Sequence, residues 1–220
     1  MLYWGIKLVL VAPLLRLLLR PTIVGAAHVP RTGPVILAGN HLSFMDPVAL
    51  AALARRRVHF LAASNYYRQR GFARVVGWFL TATGMKPIDR AGGSASEASL
   101  RAGLAVLASG EVLGIYPEGS RSRDGRLHRG RTGVARLAML SGAPVVPVAM
   151  VGTDAVIPVG GGVIPRIRPI GMRIGAPLPA PAADATDGAA LRAFTDRIMA
   201  ALQELGGQEY VDEYTLNRHR

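Results

Sequence analysis

The sequence predicts an α/β fold: a single domain with a largely parallel central sheet flanked by helices, plus an N-terminal membrane-associating helical segment. Three observations carry this. Short apolar runs alternate with helix-length segments along most of the chain. Runs such as "VILAG" (35–39) and "PVVPVAMV" (144–151) are continuously apolar, the pattern of strands buried on both faces. Residues 2–19, "LYWGIKLVLVAPLLRLLL", are apolar over most of their length. At 220 residues and 50% hydrophobic content the chain is long enough to bury one substantial core.

In order, "TIVGAAHV" (22–29) reads as a strand, "PRTGP" as a turn and 35–39 as a buried strand. A helix follows from Asp46 to about Arg56, its start marked by Asp46 as a capping carboxylate and Pro47 in the first turn. Next come a strand at 58–64, an unusually apolar helix at 71–83 and a short strand "KPID". Residues 94–110 form a helix, with Ser94 and Glu97 at capping-box spacing and Gly110 after the last turn. "EVLGIYP" is a buried strand, 132–141 a helix, 144–151 a strand, and 166–175 a strand pair or extended segment after the glycine bend at 160–162. A helix spans about 187–205, and the polar residues 208–220 read as a loosely ordered tail. The domain therefore runs from 21 to 207, after an anchor at 1–20.

The anchor approaches the length of a bilayer core but is interrupted by Lys7, Pro13 and Arg16. Lys7 and Arg16 fall on opposite faces of an ideal helix, so the segment is not a clean amphipathic stripe. It is expected to insert in or lie along the interface, with Tyr3 and Trp4 at head-group level and the arginines snorkelling. A cleaved leader fits less well, because Arg16 and Arg20 lie within and behind the apolar run.

Lys+Arg outnumber Asp+Glu by 26 to 14, a net charge of +12, and all but Lys7 and Lys86 of these cations are arginine. Such a balance implies an anionic partner, and a mean hydropathy of +0.27 favours a membrane surface over nucleic acid. The absence of cysteine excludes disulfides, thiolate metal sites and a cysteine nucleophile. His28, His59, His128 and His219 share no spacing that suggests a metal site, and the glycines at 160–162 lack the frame of a nucleotide-binding loop.

In sheets of this kind, chemistry gathers in the loops at the carboxyl ends of strands. Three such loops stand out: "NHLSFMD" (40–46), "GMKPIDR" (84–90) and "YPEGSRSRDGRLHRGR" (116–131). A capping role accounts for Asp46 and Pro47 but leaves Asn40 and His41 unexplained.

The three loops and "VVPVAM" (145–150) resemble, in order, the four sequence blocks of the glycerolipid acyltransferases: H-x-x-x-x-D, G-x-x-[aromatic or Pro]-[aliphatic]-x-R, F-P-E-G-[TS]-R-S and an apolar block around proline. Departures are mild, with Tyr116 in place of Phe and Ser120 in place of the frequent Thr. The match is best to the lysophosphatidic acid acyltransferase branch. The resemblance implies transfer of a fatty acyl group from acyl-CoA or acyl carrier protein to the free hydroxyl of lysophosphatidic acid. It also implies no bound cofactor or metal, and a peripheral or monotopic place on the cytoplasmic face of the cell membrane. Another lysophospholipid or a phosphoinositide would use similar blocks.

Chemistry gives these residues roles. A hydroxyl attacking a thioester must be deprotonated as it attacks, and an imidazole, ordinarily titrating at about 6.5, suits that task. His41 is the expected base, with Asp46 fixing its tautomer and stabilising the imidazolium. Ser43 is a weaker candidate for a covalent nucleophile. Arg90 and Arg121 are expected to grip the acceptor phosphate. Glu118 is expected to orient Arg121 or the acceptor glycerol, against a plainer reading as an ion pair in a turn. Gly119 and Ser120 are candidate backbone donors to the oxyanion. Gly84, Lys86, Pro87 and Pro147 are read as shaping residues. Residues 121–136 carry six arginines against one aspartate, and with "RRR" (55–57) they suit an anionic lipid surface as well as a solvated face. From a different class, a non-catalytic basic protein that binds membrane or nucleic acid would leave His41 and Asp46 dispensable.

Overall fold

The computed structural model describes residues 2–63, 86–88, 95–160 and 165–215. The expected helix at 71–83, Ser94, and the 84–90 block apart from its strand lie outside the described residues.

A seven-stranded sheet runs in the order β1 (Thr22–Val24), β8 (Gly171–Ile174), β7 (Val145–Val151), β2 (Val35–Gly39), β5 (Val112–Ile115), β3 (Val58–Ala63) and β4 (Lys86–Ile88). Every neighbouring pair is parallel except β7 with β8. The expected fold class thus holds for the sheet, with one antiparallel partner. A two-stranded ribbon of β6 (Leu127–His128) and β9 (Tyr210–Val211) lies apart from it.

Central strand β2 explains why its run is apolar throughout. Val35 and Leu37 face one core with α2 (Ala12–Leu19) and α3 (Met45–Leu53), while Ile36 and Ala38 face the other. That second core is closed by α4 (Ala95–Ala108), α5 (Gly133–Ser141) and α7 (Gly188–Gly206), through residues such as Leu107, Leu137 and Ile198. Strand alternation sends successive side chains to opposite faces, so a strand covered on both sides has no polar positions. Helix α7, which follows the short helix α6 (Thr153–Val156), is capped by Asp187, whose carboxylate accepts the N–H groups of Ala189 and Ala190.

The N-terminal helix begins as a short turn, α1 (Leu2–Gly5), continues as a π-helical segment Ile6–Val11, and becomes α2. The wider π turn brings Lys7 and Ala12, five residues apart, onto the same domain-facing side. The expectation for Tyr3 is corrected here: it is only 7% exposed, with the Arg57 guanidinium over its ring at 4.8 Å. Lys7 is also buried, donating to the carbonyls of Ala54 at 2.6 Å and Arg56 at 3.4 Å, and burial lowers its pKa to about 8. Trp4, 41% exposed, stays outside with Leu8, Val9, Leu10, Leu14 and Leu17. Among the described residues no helix is long and apolar enough to cross a membrane.

Two further expectations change. Helix α3 starts at Met45, and Asp46 lies inside its first turn instead of capping it; the Ser43 hydroxyl accepts the Met45 N–H at 3.2 Å. The tail is not loose at 208–215: it supplies β9, and Thr215 is buried with its hydroxyl donating to the Glu118 carbonyl at 3.1 Å.

Candidate active site

The chain passes from β2 outward through β3 and β4, returns to β5 beside β2, and then crosses to β7 on β2's other side. The carboxyl ends of β2, β5 and β7 flank this switch, where a doubly wound sheet leaves its crevice. Loop 40–44 is built there. Asn40 continues the ladder between β2 and β7 with its side chain: Oδ1 accepts the Met150 N–H at 2.7 Å, and Nδ2 donates to the Met150 carbonyl at 3.0 Å. This accounts for an asparagine immediately before the histidine.

His41 and Asp46 meet as expected, with Nδ1 to Oδ2 at 2.9 Å. The same oxygen accepts the N–H groups of Leu42 and Ser43, both at 2.7 Å. Asp46 therefore shapes the loop and orients the ring at once. A carboxylate only accepts, so Nδ1 carries the proton and Nε2 presents its lone pair. The imidazole is 17% exposed and stacks on Tyr116, with centroids 4.0 Å apart and planes at 13°. Tyr116 in turn stacks on Phe60 at 6.0 Å. Gly39 and Gly114 make room for this column: a Cβ on Gly114 would lie 2.4 Å from the Phe60 ring, and one on Gly39 would lie 3.1 Å from Tyr116. The Tyr116 hydroxyl is buried without a partner among the described residues, and burial raises its pKa well above the ordinary value.

Ser43 is not placed as a nucleophile. It is fully buried and its hydroxyl donates to the Ile157 carbonyl at 2.7 Å.

The expectation for Glu118 is also corrected. The residue is buried, and its two carboxylate oxygens accept the backbone N–H groups of His41 at 3.0 Å and His128 at 3.1 Å. Among the described residues no ion pair joins it to Arg121. It is a clasp between the His41 loop and loop 116–131, completed by the Ser122 N–H donating to the His41 carbonyl at 2.7 Å. Burial pushes its pKa up to about 7, against the pull of the His128 and His41 backbone donors. The Gly119 N–H is spent on the Tyr116 carbonyl at 3.0 Å, so Gly119 does not offer an oxyanion donor here. The Ser120 N–H has no partner among the described residues. Arg121, next to the Ser122 tie, forms no ion pair among them. Arg90 lies outside them.

Several residues that build this site carry no separate sequence signal. Gly119, at φ +80°, leaves space that Arg131 fills, since a Cβ there would lie 2.9 Å from its Nε. The Arg131 and Arg129 guanidiniums lie over the Tyr214 ring at 5.1 and 5.4 Å. Gln208 links Asn40 Nδ2, at 2.5 Å, to the Gly125 carbonyl at 2.6 Å. The tail thus holds loop 116–131 against the His41 loop. Among the described residues no group of three His, Cys, Asp or Glu side chains could hold a metal.

A histidine oriented by a carboxylate, beside an arginine-bearing loop at the carboxyl end of a parallel sheet, is a constellation suited to acyl transfer. The Acyltransferase family model matches residues 20–151, and the chain belongs to that family. A chloroplastic 1-acyl-sn-glycerol-3-phosphate acyltransferase of Brassica napus is 29% identical over 63% of this chain and 39% of its own. The 1-acyl-sn-glycerol-3-phosphate acyltransferase of Borreliella burgdorferi is 29% identical over 60% of this chain and 51% of its own. The chain thus spans about two fifths to half the length of these curated relatives. The solved 1-acyl-sn-glycerophosphate acyltransferase of Thermotoga maritima shares the fold, with a TM-score of 0.66 at 23% identity over 84% of this chain and 71% of that one.

Proposed function

We propose that this acyltransferase moves a fatty acyl group from a thioester donor, acyl-CoA or acyl carrier protein, to the free hydroxyl of lysophosphatidic acid, yielding phosphatidic acid for phospholipid synthesis. The observation that carries the reading is the 2.9 Å His41–Asp46 hydrogen bond, which leaves Nε2 as an acceptor on a partly exposed ring. Nε2 takes the hydroxyl proton as the alcohol oxygen attacks the thioester carbonyl carbon. The tetrahedral oxyanion collapses, the C–S bond breaks, and the imidazolium returns its proton to the leaving thiolate. Asp46 offsets the imidazolium charge throughout. Transfer is direct, which the buried, hydrogen-bonded Ser43 hydroxyl favours.

Arg121 and Arg90 grip the acceptor phosphate, Arg90 on the strength of its block's resemblance alone, and the Ser120 N–H is the remaining backbone candidate for the oxyanion. Glu118 then acts on substrate only through the loop it clasps. The domain at 21–207 carries the chemistry, while the exposed apolar side of the N-terminal helix rests on the cytoplasmic face of the cell membrane as a peripheral or monotopic anchor. No resident metal or cofactor takes part.

The test is a panel of lyso-acceptors with a long-chain acyl-CoA or acyl carrier protein donor, read by thiol release and lipid product analysis. Phosphatidic acid formed from lysophosphatidic acid in preference to lysophosphatidylcholine is the expected result. Turnover with no member of the panel overturns the reading.

A further inference from the structure

The segment at 165–170, "PRIRPI", serves none of the chemistry above, yet its position is distinctive. Arg166, Ile167 and Arg168 are exposed, and Ile167 is 67% exposed between the two cations. The segment is fixed by backbone on both sides. The Ile170 N–H donates to the Leu19 carbonyl at 3.1 Å, tying it to the end of α2, and the Arg166 N–H donates to the Val156 carbonyl at 2.9 Å. The next residue after Val156 holds the Ser43 hydroxyl of the His41 loop.

Register places all of this at one end of the sheet. Gly171 pairs with Val151, at the carboxyl end of β7, and Thr22, just after the helix, pairs with Gly171. Asn40 joins the same end through Met150. The exposed Leu17 and Arg20 of the N-terminal helix, the Arg166–Arg168 segment and His41 therefore sit at the same edge of the domain.

We infer that Arg166, Ile167 and Arg168 form a second membrane-contact element, which docks on anionic lipid head groups beside the N-terminal helix and keeps the His41 end of the sheet at the bilayer surface. The inference rests on the proposed anchoring of that helix. Charge favours an anionic bilayer as occupant: Arg16, Arg20, Arg166 and Arg168 have no carboxylate partner among the described residues, and Asp154 is the one acidic residue in 2–20 and 153–170. An apolar side chain flanked by arginines suits the head-group boundary, where the side chain enters and the cations stay with phosphates. The geometry also serves the chemistry, since a lipid acceptor reaches the catalytic edge without leaving the interface.

Because the chain has no cysteine, single reporters can be placed cleanly. Ile167→Cys, Leu17→Cys and Thr32→Cys, the last exposed just before β2 at the opposite end of the sheet, each carry an environment-sensitive fluorophore on the full-length protein. With phosphatidylglycerol vesicles, a blue shift at 167 and 17 and none at 32 is expected. A shift at 17 but not at 167 overturns this inference and leaves helix anchoring intact. No shift at either position, with no co-sedimentation, sinks the anchoring reading and this one together. Arg166→Ala with Arg168→Ala should weaken partitioning onto phosphatidylglycerol vesicles roughly thirtyfold, taking each cation's head-group attraction at face value, and leave the weak partitioning onto phosphatidylcholine unchanged. Unchanged partitioning on both vesicle types overturns the inference.

Discussion

Asp46→Asn isolates the carboxylate's charge from its shape. Oδ2 alone accepts three donors, from His41 Nδ1, Leu42 N and Ser43 N, while Oδ1 is buried without a partner among the described residues. An amide with its oxygen in the Oδ2 position keeps all three bonds and puts its NH2 in the Oδ1 position; the opposite placement sets three donors against a donor. The first arrangement is cheaper, but it leaves a buried donor unsatisfied, at about 1–3 kcal/mol. For a chain of this size that corresponds to a Tm lower by about 2–12 °C. The chemical cost is separate. When Nε2 takes the proton, the imidazolium loses its counter-charge, worth about 4 kcal/mol for unit charges about 4 Å apart at an effective dielectric of about 20. That predicts a fall in kcat of about 10^3-fold, with acceptor KM little changed because Asp46 touches no substrate. Thiol release at saturating acceptor gives kcat, and thermal melting followed by circular dichroism gives the stability change. A variant within threefold of the parent kcat would show that the Asp46 charge does not stabilise the imidazolium, whatever its Tm.

Three other outcomes follow. Tyr116→Phe removes a buried hydroxyl that lacks a partner among the described residues while keeping the ring against His41, so Tm should hold or rise and kcat should stay within about twofold; a lower Tm would show the hydroxyl to be satisfied. Glu118 binds its proton more tightly folded, at about 7, than at its ordinary 4.5, so its contribution to stability is full below about 4.5 and is lost as pH rises through about 7. The loss is at most about 3 kcal/mol. Melting Glu118→Gln beside the parent from pH 4.5 to 8 should show the parent losing stability relative to the variant; parallel curves would count against a raised pKa. Truncation after Gly207 removes β9, Gln208, Tyr214 and Thr215, and should cut kcat/KM by at least about tenfold as loop 116–131 loosens, whereas full activity would show the strap to be dispensable.

The His41–Asp46 pair was legible because its geometry is local: five residues join a strand end to a helix start, and the apolar pattern located both. Buried strands β2 and β7 were legible for the same reason, their continuous apolar runs meaning cover on both faces. Asn40 was not, because its partner Met150 is 110 residues away and the bonds go to backbone. Glu118 was misread for a related cause. In a loop rich in arginine a carboxylate suggests an ion pair, but its partners are main-chain N–H groups, which leave no mark in composition. The tail was polar enough to pass for a loose end, although among the described residues Gln208, Tyr214 and Thr215 bind it to the site and the β6–β9 backbone pairing holds it to loop 116–131. At the N-terminus, Lys7 turns inward and Arg16 outward, on opposite faces as expected, whereas Tyr3, expected at head-group level, packs inward beneath the Arg57 guanidinium, a partner 54 residues away. Arg90 and the helix expected at 71–83 lie outside the described residues.

Whether the imidazole at 41 removes the acceptor's proton in a direct transfer is decided by single-turnover transfer from a labelled acyl donor in the parent and in His41→Ala. The parent should pass label straight to lipid with no acyl-protein intermediate, and His41→Ala should be slower by about 10^3-fold or more while its fold and vesicle binding are unchanged. Label held on protein in the parent, or transfer by His41→Ala within about tenfold of the parent, would contradict it.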